Sequence, residues 1–211
     1  MKKRSGKHDL LKLIGIWAML LDHIGWVIFP HHTILRIIGR LALPIFCAGI
    51  ALGYQRTSNF KKYFFQLLLF GLISQIPYNL LWNTHKINII LALVLSLFLI
   101  YLVDKKRYLW SVGIFWLSTV LFIEYSWYAP TIALIFFKFK DQKKIAFVLL
   151  FLATFGYIQQ TSASIQWYAL IGFFIVLFMP EIKLNFKLNK YIFYFFYPLH
   201  LLILYLILRW I

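Results

Sequence analysis

This chain has very little acid and almost no cysteine. Of its 211 residues only 6 are Asp or Glu, against 22 Lys or Arg, and one is Cys. A lone cysteine, Cys47, has no intrachain partner for a disulfide, and inside an apolar run it reads as a small core residue rather than a nucleophile. Charge of either sign is scarce, at 13% of residues, where soluble domains carry about 25%. Polar linkers, low-complexity tracts and internal repeats are also missing. Their absence leaves no room for a separate soluble domain, and it hides any half-repeat of the kind common in transporters.

Apolar residues fill the space instead. They make up 63% of the chain, aromatics alone 20%, and the mean hydropathy is +0.80. No soluble core hides that much apolar surface, so the bilayer is the solvent. The expected architecture is an all-α polytopic membrane protein, a single integral-membrane domain over 1–211. Apolar runs predict nine transmembrane helices, at about 10–29, 34–54, 63–81, 87–103, 108–123, 127–139, 143–159, 165–180 and 191–210. Met1-Lys2-Lys3-Arg4 before an apolar stretch imitates a signal peptide, but no small-residue cleavage site follows, so the stretch reads as a retained first span.

The net charge of +16 raises the question of nucleic acid. The distribution answers it. Basic residues sit in short clusters between apolar runs: Lys2, Lys3, Arg4 and Lys7; Arg56, Lys61 and Lys62; Lys105, Lys106 and Arg107; Lys138, Lys140, Lys143 and Lys144; Lys183, Lys187 and Lys190. With nine spans, all of these fall on the side of the N-terminus, and only Lys86 and Arg209 fall opposite. That is the positive-inside pattern, which predicts a cytoplasmic N-terminus and an extracytoplasmic C-terminus. It fixes orientation and gives no reason to invoke a nucleic-acid partner.

Ionisable side chains inside spans are costly, and are functional-site candidates by default. Asp22 and His23 lie outward of the midplane of the first span. Arg36 and Arg40 lie on one face of the second, Arg40 ~6 Å deeper. Arg40 is too deep to snorkel easily, and Asp22 is its expected partner. Gln75, Tyr78 and Asn79 share a face of the third span, Asn88 opens the fourth, Glu124 ends the fifth and His200 sits within the ninth. Pro198 removes a backbone donor in mid-helix and so frees a carbonyl beside His200. Together these groups predict a one-sided polar vestibule in an apolar bundle. His31 and His32 read as interfacial loop residues, and without Cys or carboxylate ligands at the usual spacing no metal is expected. Trp26, Trp82, Trp110, Trp127, Tyr128, Trp167 and Trp210 fall at span ends, as interface-belt aromatics do.

Several blocks resemble the TraX family. They are Leu21-Asp22-His23-Ile24-Gly25, Leu35-Arg36-Ile37-Ile38-Gly39-Arg40 through Pro44-Ile45-Phe46, Gly53-Tyr54-Gln55-Arg56-Thr57, Ser74-Gln75-Ile76-Pro77-Tyr78 and Tyr197-Pro198-Leu199-His200. They run in register over nearly the whole chain. The family is named for a conjugation-system inner-membrane protein that N-acetylates pilin, and it is distantly similar to membrane acyltransferases such as heparan-α-glucosaminide N-acetyltransferase. The resemblance implies a multi-pass protein of the bacterial plasma membrane that uses acetyl-CoA. Its histidine at the end of an early helix matches His23. This chain differs from the family pattern at Leu52, Gln75 and Asn79, where acids are expected, and at Glu124-Tyr125-Ser126, where an Asp-Tyr-Gly turn is expected.

The implied chemistry is acyl transfer from cytosolic acetyl-CoA to an extracytoplasmic or membrane-embedded amine or hydroxyl, on a peptide, glycan or lipid headgroup. His23 is the base or the transiently acylated group, oriented by Asp22 or Glu124. Arg36 and Arg40 hold an oxyanion or a substrate anion, and Gln75, Asn79, Asn88, Glu124 and His200 line the site. The rival class is a non-enzymatic transporter or flippase, which uses the same buried charges but also needs polar access to the cytoplasmic face.

Overall fold

A computed structural model describes residues 6–182 and 190–210. The basic residues Lys2, Lys3, Arg4, Lys183 and Lys187 lie outside these described residues, as does the side chain of Lys190. The described elements are helical: α1 (Gly6–Val27), α2 (Thr33–Gly39), α3 (Ala42–Arg56), α4 (Phe60–Trp82), α5 (Ile89–Asp104), α6 (Tyr108–Val120), α7 (Tyr128–Phe139), α8 (Lys143–Thr161), a 3₁₀ turn (Ser164–Tyr168), α9 (Ala169–Phe178) and α10 (Lys190–Trp210). Among the described residues the only β pairing is one isolated parallel bridge, Ile87 with Ile123.

Helical segments therefore occupy all nine expected positions. By length and composition five can cross a membrane: Gly6–Val27, Thr33–Arg56, Phe60–Trp82, Lys143–Thr161 and Tyr191–Trp210. The helices at Ile89–Asp104, Tyr108–Val120, Tyr128–Phe139 and Ser164–Phe178 are apolar but shorter. At 1.5 Å per residue, the 13 residues of α6 and the 12 of α7 fall well short of a bilayer core. Of the nine expected transmembrane helices, five thus have spanning length among the described residues.

The second predicted helix, 34–54, is not continuous. It breaks at Arg40 and Leu41, between α2 and α3. Pro44 is the cause. It has no N–H to give to the carbonyl of Arg40, and its ring collides with that carbonyl in a regular helix. The chain tightens instead: Arg40 N–H bonds Ile37 O and Leu41 N–H bonds Ile38 O, each at 3.1 Å. The fifth predicted helix also stops early, at Val120, so Glu124 lies in the following turn rather than ending the helix.

Contacts divide the chain into two compact units, with boundaries inside α3 and inside α7. Unit 1 comprises 1–49 and 135–188. In it α1 packs along α2, and α8 along α9. Close approach depends on small residues: a Cβ at Gly172 would lie 2.9 Å from Pro44 Cγ, so α9 rests directly on the start of α3. Leu150 and Phe173 are fully buried.

Unit 2 comprises 50–134 and 189–211, and α4 is its spine, packed against α10 and α5. α5 is apolar on every face and buries Leu97 and Ile100 completely, as an interior helix should. Aromatic stacking joins α4 to its neighbours, with Phe70 on Tyr194 at 4.8 Å and Phe60 on Tyr101 at 4.1 Å between ring centres. Outward-facing Leu72, Ile76, Leu109 and Trp110 are exposed, which suits a lipid solvent.

Candidate functional site

The candidate residues group by unit. In unit 1, Asp22 stands near the end of α1 and faces α2. Its Oδ1 accepts from Arg40 Nη2 at 2.5 Å and lies 3.4 Å from Arg36 Nε. The i, i+4 spacing puts both guanidinium groups on one helix face, and the break after Gly39 leaves Arg40 as the C-cap of α2, where its own Nε donates to Arg36 O at 3.2 Å. Gly39 makes the approach possible, because a Cβ there would overlap the carboxyl group of Asp22. The Arg36 guanidinium also lies 4.3 Å over the Trp26 ring, so Trp26 is a cation–π partner as well as an exposed aromatic at a helix end.

A fourth member comes from far along the chain. Arg40 Nη1 donates to Gln166 Oε1 at 3.4 Å, from the 3₁₀ turn before α9. Arg40 is 7% exposed and Gln166 1%. The expected Asp22–Arg40 pair is therefore present, and Arg36 joins it. His23 sits half-buried at the next position on α1, about 100° around the helix from Asp22. Asp22 pairs with the arginines and not with the imidazole, so its evident work is to hold the guanidinium groups.

Unit 2 holds a neutral cluster. Gln75 Nε2 donates to Asn79 Oδ1 at 2.6 Å and to Lys86 O at 2.8 Å. Gln75 Oε1 accepts from the backbone N–H of Asn88 at 3.0 Å and from its Nδ2 at 2.7 Å. Asn88 Nδ2 also donates to Gly71 O at 2.8 Å, while its Oδ1 caps α5 by accepting from Ile90 N–H and Leu91 N–H. Each of these bonds stays within the protein. Gln75 and Asn88 have both amide hydrogens and the carbonyl oxygen engaged, so the cluster clamps the start of α5 onto α4.

Glu124 lies in the turn after α6, where its backbone N–H bonds Ile87 O at 2.9 Å. The next two residues, Tyr125 and Ser126, have φ of 62° and 43°, a left-handed pair that disfavours L side chains. Ser126 stands where the resemblance implies the glycine of an Asp-Tyr-Gly turn. The carboxylate is within electrostatic range of the buried hydroxyls of Tyr78 and Tyr197. His200 is 5% exposed, and its Nδ1 bonds Phe196 O at 2.7 Å, one turn back on its own helix. That carbonyl is not the one freed by Pro198, which belongs to Tyr194. Two clefts in unit 2 are apolar. One is lined by Ile73, Ile76, Pro77, Leu80, Phe195 and Pro198, the other by Phe98, Leu102, Arg107 and Trp110, and neither contains a candidate residue.

Sequence reasoning missed Gln166 and Asp9. Gln166 sits in an apolar run beside Trp167, and an uncharged polar residue in such a run was the available signal. Asp9 is 2% exposed in the first turn of α1, which begins four residues before the predicted boundary.

Comparison with known proteins gives two relatives. An uncharacterised protein of Rickettsia prowazekii (strain Madrid E) is 35% identical over 101 residues, 47% of this chain and 39% of that protein. The match therefore spans well under half the length of that relative. The probable fimbrial assembly protein FimC of Dichelobacter nodosus is 27% identical, over 92% of each chain. No solved structure matches. The model of the family described as "TraX protein" matches residues 7–208, and with nearly the whole chain covered this protein belongs to the TraX family.

Proposed function

We propose that this chain is a membrane-embedded acyltransferase of the bacterial plasma membrane, moving an acetyl group from cytosolic acetyl-CoA to an amine or hydroxyl on an extracytoplasmic or membrane-embedded acceptor. The observation that carries the reading is the buried Asp22–Arg36–Arg40 centre one residue from His23, at the end of α1 away from its basic start. Family membership and the likeness to a fimbrial assembly protein support a pilin-type subunit as the acceptor class. The basic clusters support a cytoplasmic N-terminus and an extracytoplasmic C-terminus, an orientation in which this centre would face the outer side.

In this reading His23 takes the proton of the attacking amine or hydroxyl. The acceptor atom bonds the thioester carbonyl carbon, and negative charge gathers on the carbonyl oxygen. Arg40 and Arg36, held rigid by Asp22, stabilise that charge without reorganising. Collapse breaks the C–S bond, and the imidazolium returns its proton to the departing thiolate. Asp22 is a positioning residue here, and His23 and the arginines are the groups that meet substrate.

The test is acetyl-CoA binding and free-thiol release by the purified chain in detergent, for wild type and His23→Ala. Binding with thiol release that disappears in His23→Ala, at unchanged yield and thermal stability, is the expected result. Equal release by the variant overturns the role of His23, and absence of both binding and release overturns the acyltransferase reading.

A further inference from the structure

In unit 2, α5 and α6 do not close against each other where they approach their shared basic loop. A cleft of about 400 Å³ opens there, lined by Phe98 and Leu102 from α5 and by Trp110, Gly113 and Ile114 from α6. That volume falls in the ~300–1,000 Å³ range of small-molecule sites, whereas helix seams are normally packed without such voids. The space reaches the α6 backbone itself, since a Cβ at Gly113 would have nothing within 4 Å. From Arg107 to Ile114 the cleft runs ~10 Å along α6 by helix rise. Arg107, at the loop end, is the only lining residue that is not apolar.

The backbone fixes where that arginine stands. α5 ends in a Schellman turn, with Lys106 left-handed at φ 56°, its N–H on Val103 O at 3.1 Å and the Arg107 N–H on Leu102 O at 2.8 Å. Unit 2 has two acids, and neither serves Arg107. Asp104 accepts from the Tyr54 hydroxyl at 2.8 Å and lies 3.9 Å from Lys105 Nζ, while Glu124 follows the opposite end of α6. Among the described residues Arg107 has no carboxylate partner. Lys105 and Lys106 stand exposed beside it, and no side chain caps the start of α6, so the helix dipole adds to the positive field at this end of the cleft.

We propose that this cleft binds one anionic phospholipid, with an acyl chain between α5 and α6 and the phosphodiester on Arg107. An apolar slot that opens to lipid takes hydrocarbon, and the charge at its mouth selects the headgroup. The guanidinium fork matches two phosphate oxygens. A zwitterionic headgroup brings its own cation and gains less from a basic mouth, so charge complementarity favours the anionic lipid. Free phosphate would meet the arginine and leave the slot unfilled. Trp110, exposed at the junction, has the place of an interface aromatic. The site does not rest on the acyl-transfer reading.

The test reads lipid at Trp110. The full chain is reconstituted in phosphatidylcholine vesicles that contain a rising fraction of either phosphatidylglycerol or phosphatidylcholine with brominated chains, which quench tryptophan on contact. Each protein is measured beside its Trp110→Phe counterpart, and the difference isolates the cleft from the other tryptophans. Brominated phosphatidylglycerol should quench Trp110 at about a tenfold lower fraction than brominated phosphatidylcholine, the value of one hydrogen bond to a charged group. Arg107→Gln should remove that preference. Lys61→Gln, which deletes the same charge from an exposed position at the start of α4, should keep it. Gly113→Leu should fill the slot and also remove the preference, at an equal or higher unfolding temperature, because leucine is the better helix former and its Cβ meets nothing. If the leucine variant fails to fold, the Arg107→Gln and Lys61→Gln pair decides alone. Equal quenching by the two lipids in wild type overturns the site, as does a preference that survives Arg107→Gln or falls equally in Lys61→Gln. Displacement of the brominated lipid by acetyl-CoA would give the cleft to a soluble nucleotide and overturn the lipid assignment.

Discussion

The two polar clusters differ in how completely they are satisfied. In unit 2, Gln75 and Asn88 place every amide hydrogen and carbonyl oxygen on a protein partner, and no charge is involved. In unit 1, Asp22 serves two arginines, and Gln166 Nε2 has no hydrogen-bond partner among the described residues. Both are polar groups in an apolar chain, and sequence alone assigned both to one vestibule. Saturation separates them. A closed network has no capacity left for a ligand and acts as a fastener. The unit 1 cluster instead keeps one unmet amide donor beside an ion pair.

Substitutions can break or sharpen this contrast. Asp22→Asn should have the largest effect, destabilising the folded state in detergent by about 3 kcal/mol because two guanidinium groups lose the Asp22 carboxylate. Thiol release should fall in the same protein, since the guanidinium groups are no longer held in place. Loss of stability with thiol release unchanged would contradict the positioning role of Asp22. Next comes Gly39→Ala, whose new methyl meets the Asp22 carboxyl; a cost of about 2 kcal/mol and a loss of thiol release are expected. Gly49→Ala, with nothing within 4 Å, is the matched control and should be neutral or stabilising by about 0.5 kcal/mol.

In the closed cluster Asn88→Ala should cost about 1 kcal/mol through loss of the α5 cap. It should leave thiol release unchanged; altered release would mean the fastener also touches substrate. The smallest effect is a gain. Ser126→Gly, at φ 43°, should raise stability by about 0.5 kcal/mol, read as a higher unfolding temperature.

Much of the fold is legible in the apolar runs, because a bilayer demands one helix per run and tolerates few alternatives. The Asp22–Arg40 pair is legible too, since a deep arginine needs a counter-charge and acids are rare in this chain. The break between α2 and α3 was available in Pro44 but is masked by the hydropathy of 34–54, which continues across it. Gln166 was not legible. Its partner is 126 residues away, and periodicity carries no information at that distance. Nor does composition tell the closed amide cluster from the open one, because that difference lies in hydrogen-bond geometry.

The spacing within the Asp22–Arg40 pair bears on how the protein enters the membrane. Only 18 residues separate the two side chains, so acid and base belong to a single helical hairpin made early in synthesis. An isolated second segment would present two arginines to lipid, each costing ~2.5–3.5 kcal/mol at mid-depth on the insertion scale. Inserted together with the first segment, it arrives with one of those charges already matched. The first two segments thus form a co-insertion unit, and the order of translation supplies the acid before the bases that require it.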